Sequence, residues 1–130
     1  MSGARDPAER VVPQPVAIAP PNAVLLVLTN LPDEASADRI AQALVEERLA
    51  ACVNVLGPCR SVYRWQDRIE RAQETPLLIK TSQDRYGALE RRLRELHPYE
   101  LPEVLAWRPD GGLSDYAAWV IRETRPARPR

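Results

Sequence analysis

The 130-residue sequence contains a single histidine, His97, and this scarcity excludes a metal site built from several imidazoles of one chain. The sequence also lacks a Gly-x-Ser-x-Gly elbow, a glycine-rich phosphate loop and a helical motif with two histidines. These absences argue against the common hydrolase, phosphate-loop and metalloprotease classes. Copies related by threefold symmetry could still bring their histidines together, so a shared metal site remains open.

Neither sign of charge is in excess, because 18 basic and 18 acidic side chains cancel. No long block of like charge offers the electrostatic footprint that attracts nucleic acid or an anionic membrane. No stretch approaches the roughly 20 apolar residues needed to cross a bilayer, and prolines interrupt residues 11–21, where a signal peptide would need a continuous apolar run. We therefore expect no nucleic acid partner, no membrane partner and a cytoplasmic location.

The two cysteines, Cys52 and Cys59, lie seven residues apart in a segment that we interpret as one extended strand. This separation spans roughly 23 Å at about 3.3 Å per residue, so a disulfide would require the strand to fold back on itself. We expect two reduced and mostly buried thiols.

Hydrophobic patterning divides the chain into a tail, one domain and a short end. Residues 1–21 hold five prolines and little periodic hydrophobicity, which is typical of a disordered segment. Residues 126–130 alternate arginine with proline and are expected to fray. The folded domain is therefore predicted to span residues 22–125.

Within this domain the patterns predict strand, helix, strand, strand, helix, strand and a final helix. The first strand is the apolar run at residues 23–28, expected to be buried on both faces, and Asp33 is expected to cap the first helix. The second strand covers residues 51–65 with a bend at Gly57-Pro58, and the third covers residues 69–82 and ends in the run at residues 77–81. A capping box at residues 81–84 starts the second helix, residues 104–107 form the fourth strand, and Ser114 caps the last helix.

This βαββαβ order with an extra C-terminal helix predicts an α+β protein with the ferredoxin-like fold and an antiparallel sheet. The central hairpin is unusually long, because strands of about 14 residues span some 45 Å and two helices cannot cover them. A projecting strand edge promotes aggregation unless another copy pairs with it. We therefore predict a closed symmetric oligomer.

Residues 95–103 are the most site-like segment, because they combine His97, Tyr99 and carboxylates with two prolines at a helix end. A purely structural interpretation is also open, in which His97 complements the helix dipole and Glu100 and Glu103 are solvated. Tyr63 and Trp65 allow the same two interpretations: their rings could stack on a ligand or pack in an interface.

The sequence resembles the CutA divalent-cation tolerance family over residues 24–124, which is nearly the whole predicted domain. Several motifs in the same order and spacing carry the resemblance: Pro32-Asp33-Glu34, Leu49-Ala50-Ala51-Cys52-Val53-Asn54, Tyr63-x-Trp65, Glu70 and Glu74, Leu78-Ile79-Lys80-Thr81, Leu96-His97-Pro98-Tyr99-Glu100-x-Pro102-Glu103 and Tyr116-x-x-Trp119.

The resemblance implies a homotrimer of ferredoxin-like subunits that is associated with tolerance of divalent metals, copper in particular. By motif matching, it implies His97 and Cys52 as candidate ligands of copper or another divalent cation. It implies that the following residues line the clefts between subunits: Tyr63, Trp65, Glu70, Lys80 and Tyr99. A binding protein is therefore expected, and not an enzyme.

Two other functions compete with this interpretation. A signalling or anchoring trimer like the PII regulators would share fold and symmetry and bind a small ligand, but those proteins carry a long loop where residues 66–68 predict a tight turn. An enzyme could use His97 with Glu100 or Glu103 as acid and base, although the sequence offers no nucleophile beside them.

Overall fold

The computed structural model describes residues 23–127, so the predicted tail at residues 1–21 and the last three residues lie outside the described part. The helices and strands follow one another as β1 (Val24–Leu31), α1 (Glu34–Glu46), β2 (Cys52–Val55), β3 (Cys59–Trp65), β4 (Arg68–Ser82), a 3-10 turn (Gln83–Arg85), α2 (Tyr86–Leu96), β5 (Leu105–Trp107) and α3 (Ser114–Glu123). Among these residues no helix is long and apolar enough to span a membrane.

The sheet is antiparallel throughout and has the order β2-β4-β1-β5, with β3 pairing farther along β4. This order confirms the predicted ferredoxin-like fold with a long central hairpin. The predicted second strand is in fact two strands, because the chain leaves the ladder at Gly57 and Pro58 before it pairs again at Cys59. Proline has no N–H to donate, which explains the interruption.

The core lies between one face of the sheet and the helices α1 and α2. Alternate residues of β1 and β4 point into it, and the fully buried side chains include Val27, Leu31, Leu77, Ile79, Ile40, Leu44, Leu89 and Leu93. The prediction that β1 is buried on both faces is wrong for a single chain, because Leu26 and Leu28 remain half-buried.

Two of the three predicted helix caps are wrong. Asp33 does cap α1, since its Oδ1 accepts a hydrogen bond of 2.7 Å from the Ser36 N–H. In the predicted capping box the Thr81 hydroxyl instead donates to the main-chain oxygen of Leu49 at 2.7 Å, and α2 begins only after the 3-10 turn and has no side-chain cap. Ser114 is the first residue of α3, and the cap position before it is Leu113, which makes no side-chain hydrogen bond.

Helix α3 packs on the side of the sheet opposite to α1 and α2, near the C-terminal end of β4. Thr124 Oγ1 lies 2.9 Å from the Ser82 hydroxyl, which alternation places on that side. Arg48, in the left-handed region with φ 59°, donates to the main-chain oxygens of Arg122 (3.0 Å) and Arg125 (2.6 Å). The remainder of this side, which we call the open face, carries Leu26, Leu28, Leu78, Leu105 and Trp107.

The β3–β4 turn has two central residues, Gln66 and Asp67, and both have positive φ (50° and 64°). Such turns favour Asn-Gly, because other L-residues are strained in the left-handed region. We predict that Gln66→Asn combined with Asp67→Gly stabilises the protein by about 1 kcal/mol, measured as a higher urea midpoint.

Asp110→Gly is the matched control, since Asp110 is exposed in a loop and is not among the described residues with positive φ. This control should leave the midpoint unchanged or lower it, because glycine adds freedom to the unfolded chain. A lower midpoint in the turn variant would contradict the strain argument.

Candidate functional site

The candidate site is the loop that follows α2 and crosses the end of β1. The helix ends at Leu96, where the main-chain N–H of His97 still donates to Leu93 O (2.8 Å), and Pro98 prevents its continuation. The loop then passes Asn30, whose Nδ2 donates to Glu103 Oε1 at 3.1 Å. This contact places the Glu103 end of the loop beside the last residues of β1.

Both ring nitrogens of the buried His97 are engaged. Nε2 lies 2.8 Å from the main-chain oxygen of Asn30, which can only accept, so Nε2 carries the proton. Nδ1 then accepts a hydrogen bond of 3.2 Å from the Tyr99 N–H. Burial lowers the pKa of His97, although the Asn30 carbonyl and the Glu74 charge oppose the shift. The ring is therefore neutral and held by two hydrogen bonds.

Tyr99 connects this loop to the hairpin. Its hydroxyl donates to Glu74 Oε2 at 2.9 Å, and its ring centroid lies 4.9 Å from that of His97. The pKa of Tyr99 is raised by burial first, then by the hydrogen bond and charge of Glu74, with smaller effects of Tyr63 and Asp33. Glu74 is only 8% exposed, which is unusual for a carboxylate. We call Asn30, Glu74, His97, Tyr99 and Glu103 the loop cluster.

The predicted site residues fall into two groups. Tyr63 and Glu70 are paired across β3 and β4, and Trp65 follows on the same face, so these three continue from the loop cluster toward the turn. Lys80 lies toward the other end of β4, where it donates to Asn54 and faces Cys52. Lys80 lies six positions after Glu74, a distance of roughly 20 Å along a strand.

Consequently one chain does not bring the predicted metal ligands together. His97 belongs to the loop cluster, whereas Cys52 lies beside Lys80 and close to Tyr116. Within residues 23–127 no group of three or more histidine, cysteine or acidic side chains is arranged to hold a metal ion. The donor set of a single chain therefore does not fit a complete metal site.

Sequence reasoning missed two members of the loop cluster as site residues, Glu74 and Asn30. Alternation could have identified Glu74, since it shares a strand face with Glu70 four residues earlier. Asn30 contacts His97 through its main-chain oxygen, which any residue would supply, so this contact left no signal in the sequence.

A separate open cavity of about 450 Å³ lies at the opposite end of β1. Its lining contains none of the predicted site residues and consists of Leu25, Gln83, Tyr86, Ala106, Trp107 and Arg108. The Tyr86 hydroxyl donates to Glu90 (2.8 Å), and burial together with that carboxylate raises the pKa of Tyr86 to about 12. The phenol is therefore neutral at physiological pH.

Comparison with known proteins gives a consistent result. The family model described as CutA1 divalent ion tolerance protein matches residues 25–123. The divalent-cation tolerance protein CutA of Pectobacterium atrosepticum is 42% identical over 101 residues, covering 78% of this chain and 92% of that protein. Its counterpart from Thermus thermophilus is 43% identical over 99 residues, covering 76% and 96%. The crystal structure of CutA from Xylella fastidiosa superposes with a TM-score of 0.76 at 46% identity, covering 78% and 98%.

The pKa of His97 predicts how stability depends on pH. The folded pKa lies below the ordinary 6.5, so as pH falls below about 6.5 the unfolded chain takes up the proton first. The contribution of His97 to the free energy of unfolding should therefore be fully present above pH 6.5. It should decrease progressively as the pH falls toward the pKa of the folded state. Urea unfolding between about pH 7.5 and about pH 5.5 measures the decrease.

His97→Gln is the comparison, because an amide cannot titrate in this range. The variant should show a shallower loss of stability over the same interval, whatever its stability at neutral pH. Parallel pH profiles for the two proteins would assign the effect to other groups.

Proposed function

The chain belongs to the CutA1 divalent ion tolerance family, and from this premise we propose that it is a trimeric metal-response protein that binds copper or another divalent ion weakly at clefts between subunits. Its role is binding and not catalysis, and the cytoplasm is its place of action. The observation that carries the proposal is the loop cluster, which collects an imidazole, a phenol and carboxylates at the base of the hairpin.

Two apolar surfaces support assembly from several copies. On the hairpin, Tyr63 and Trp65 are 43% and 38% exposed. On the open face, Leu105 and Trp107 are 60% and 43% exposed, and Leu26 and Leu28 lie half-buried beside them. The apolar run of β1 is of the kind that is buried on both sides, and a neighbouring copy would supply the missing cover.

The geometry of the loop cluster supports weak ion binding and argues against a tight site. A metal at His97 Nδ1 would displace the Tyr99 N–H, and one at Nε2 would displace both the proton and the contact with Asn30. Because Cys52 is distant within the chain, a site that uses both residues has to combine different subunits. Glu74 and Glu103 carry further oxygen donors in the same cluster, but within residues 23–127 they are not grouped with His97 around one point, so another subunit would have to complete the site.

The alternative of a PII-like signalling trimer receives no support from the hairpin. Its connection is the two-residue turn at Gln66 and Asp67, so the long loop of those regulators has no counterpart at this point of the chain.

Metal binding is tested by titrating metal-free protein with Cu²⁺ and other divalent ions in a calorimeter. His97→Ala should weaken copper binding at neutral pH, and acidification below about 6.5 should do the same as imidazole becomes protonated. Cys52→Ser should weaken it only if the thiol of another subunit shares the cleft.

Glu100→Gln is the matched control, since Glu100 is exposed in the same loop and its side chain makes none of the hydrogen bonds described for the loop cluster. Its copper affinity should equal that of the unmodified protein. Unchanged copper affinity in both the His97 and Cys52 variants would place the binding site elsewhere. If the unmodified protein binds none of the ions tested, the metal-binding function is excluded.

Assembly is tested by light scattering at micromolar concentration, which should give a mass three times that of the chain. Trp65→Ala should raise the concentration at which the assembly dissociates by at least about 30-fold, because removing a buried interface aromatic costs about 2 kcal/mol or more. Circular dichroism checks that the variant remains folded.

Val62→Ala is the control on the same hairpin. Val62 is 58% exposed and lies on the opposite side from Trp65, so its truncation should leave dissociation nearly unchanged. A well-folded monomer of the unmodified protein would contradict the trimer.

A further inference from the structure

The hairpin separates its charges by face. Strands β3 and β4 pair Arg60 with Gln73, Val62 with Arg71, and Arg64 with Ile69, and residues directly opposite each other share a face. These six residues form what we call the arginine face, which carries three positive charges and no acidic residue. Both acidic residues of the paired strands, Glu70 and Glu74, lie on the other face with Tyr63 and Trp65.

The three arginines form a compact group. Arg71 is the diagonal neighbour of both Arg60 and Arg64, at about 7–8 Å for such positions in an antiparallel pair. Arg60 and Arg64 are four residues apart, or roughly 13 Å along the strand. Long side chains at these distances can converge on one ligand.

No carboxylate compensates this charge within residues 23–127. All three arginines are exposed, and the ion pairs of the described chain involve only Arg92 and Arg122 as cations. Like charges on neighbouring strand positions repel each other, so the group has a small energetic cost in the free protein. An anion would remove that cost.

The surface between the arginines is apolar. Val62 and Ile69 are each 58% exposed and lie directly opposite Arg71 and Arg64. Guanidinium groups are weakly hydrated, and arginine stems pack along apolar surface while the charged ends remain free. The apolar surface of Val62 and Ile69 therefore favours arginine side chains that lie along the sheet and direct their N–H groups toward a common ligand.

We propose that the arginine face binds a compact anion that carries several phosphate groups. Guanidinium forks bind phosphate oxygens in a bidentate manner, and neighbouring phosphates concentrate enough negative charge to engage three forks at once. Nucleic acid fits less well, because the face has no aromatic ring on which a base could stack and the whole chain has no net charge. The proposal goes beyond metal binding and does not depend on it.

Inorganic tripolyphosphate is the probe, titrated into the full chain by calorimetry in metal-free buffer at low ionic strength. The unmodified protein should bind it, and the affinity should fall as salt is added because the contacts are exposed. Replacing Arg60, Arg64 and Arg71 together by Gln should weaken binding at least about tenfold, the sum expected for three exposed charge pairs.

The control replaces three other exposed arginines, Arg39, Arg91 and Arg94, by Gln and so makes the same change in net charge. It should keep the affinity of the unmodified protein within about twofold, because these side chains belong to helices and not to the arginine face. An equal loss in both triple variants would overturn the proposal, since binding would then follow net charge alone.

Three further results would also overturn it. Citrate binding as tightly as tripolyphosphate would show that phosphate is not the preferred group. A short DNA duplex that binds more tightly than tripolyphosphate would assign the face to nucleic acid. A change of oligomeric state in the hairpin variant without any anion would show that the face is an interface between copies.

Discussion

Strand β4 is the element on which the rest of the structure depends, because β1, β2 and β3 all pair with it. Its 15 residues run without interruption from the body of the sheet into the hairpin. Alternation along this strand decides the environment of each residue. Leu77 and Ile79 enter the core, whereas Glu74 and Lys80 lie on the other side of the sheet, where Glu74 contacts Tyr99 of the candidate site. The position of the loop cluster is therefore a consequence of strand register.

The sequence predicted well the features that depend on local chemistry. The Asp33 cap and the length of the hairpin both follow from neighbouring residues, and the structure confirms them. The cap expected at residues 81–84 is wrong because the Thr81 hydroxyl donates to the main-chain oxygen of Leu49, 32 residues away. The pattern of neighbouring residues cannot predict a hydrogen bond to a residue so distant in the sequence.

The same limit applies to the candidate site. Residues 95–103 were recognisable from their unusual composition, and His97 and Tyr99 do form the centre of the loop cluster. Their partners come from strands distant in the sequence, since Glu74 is 25 residues from Tyr99 and Asn30 is 67 residues from His97. Only the fold reveals that both imidazole nitrogens are engaged, which limits how the ring can bind a metal ion.

The segregation of charges between the faces of the hairpin has a consequence for the evolution of this protein. A substitution alters one face and leaves the other intact, so the arginine face can diverge among relatives without disturbing Tyr63 and Trp65. A single-residue insertion or deletion in β3 would instead exchange the two faces beyond it and move arginines to the position of the aromatic rings. The two faces should therefore vary independently of each other among relatives while the strand lengths are conserved.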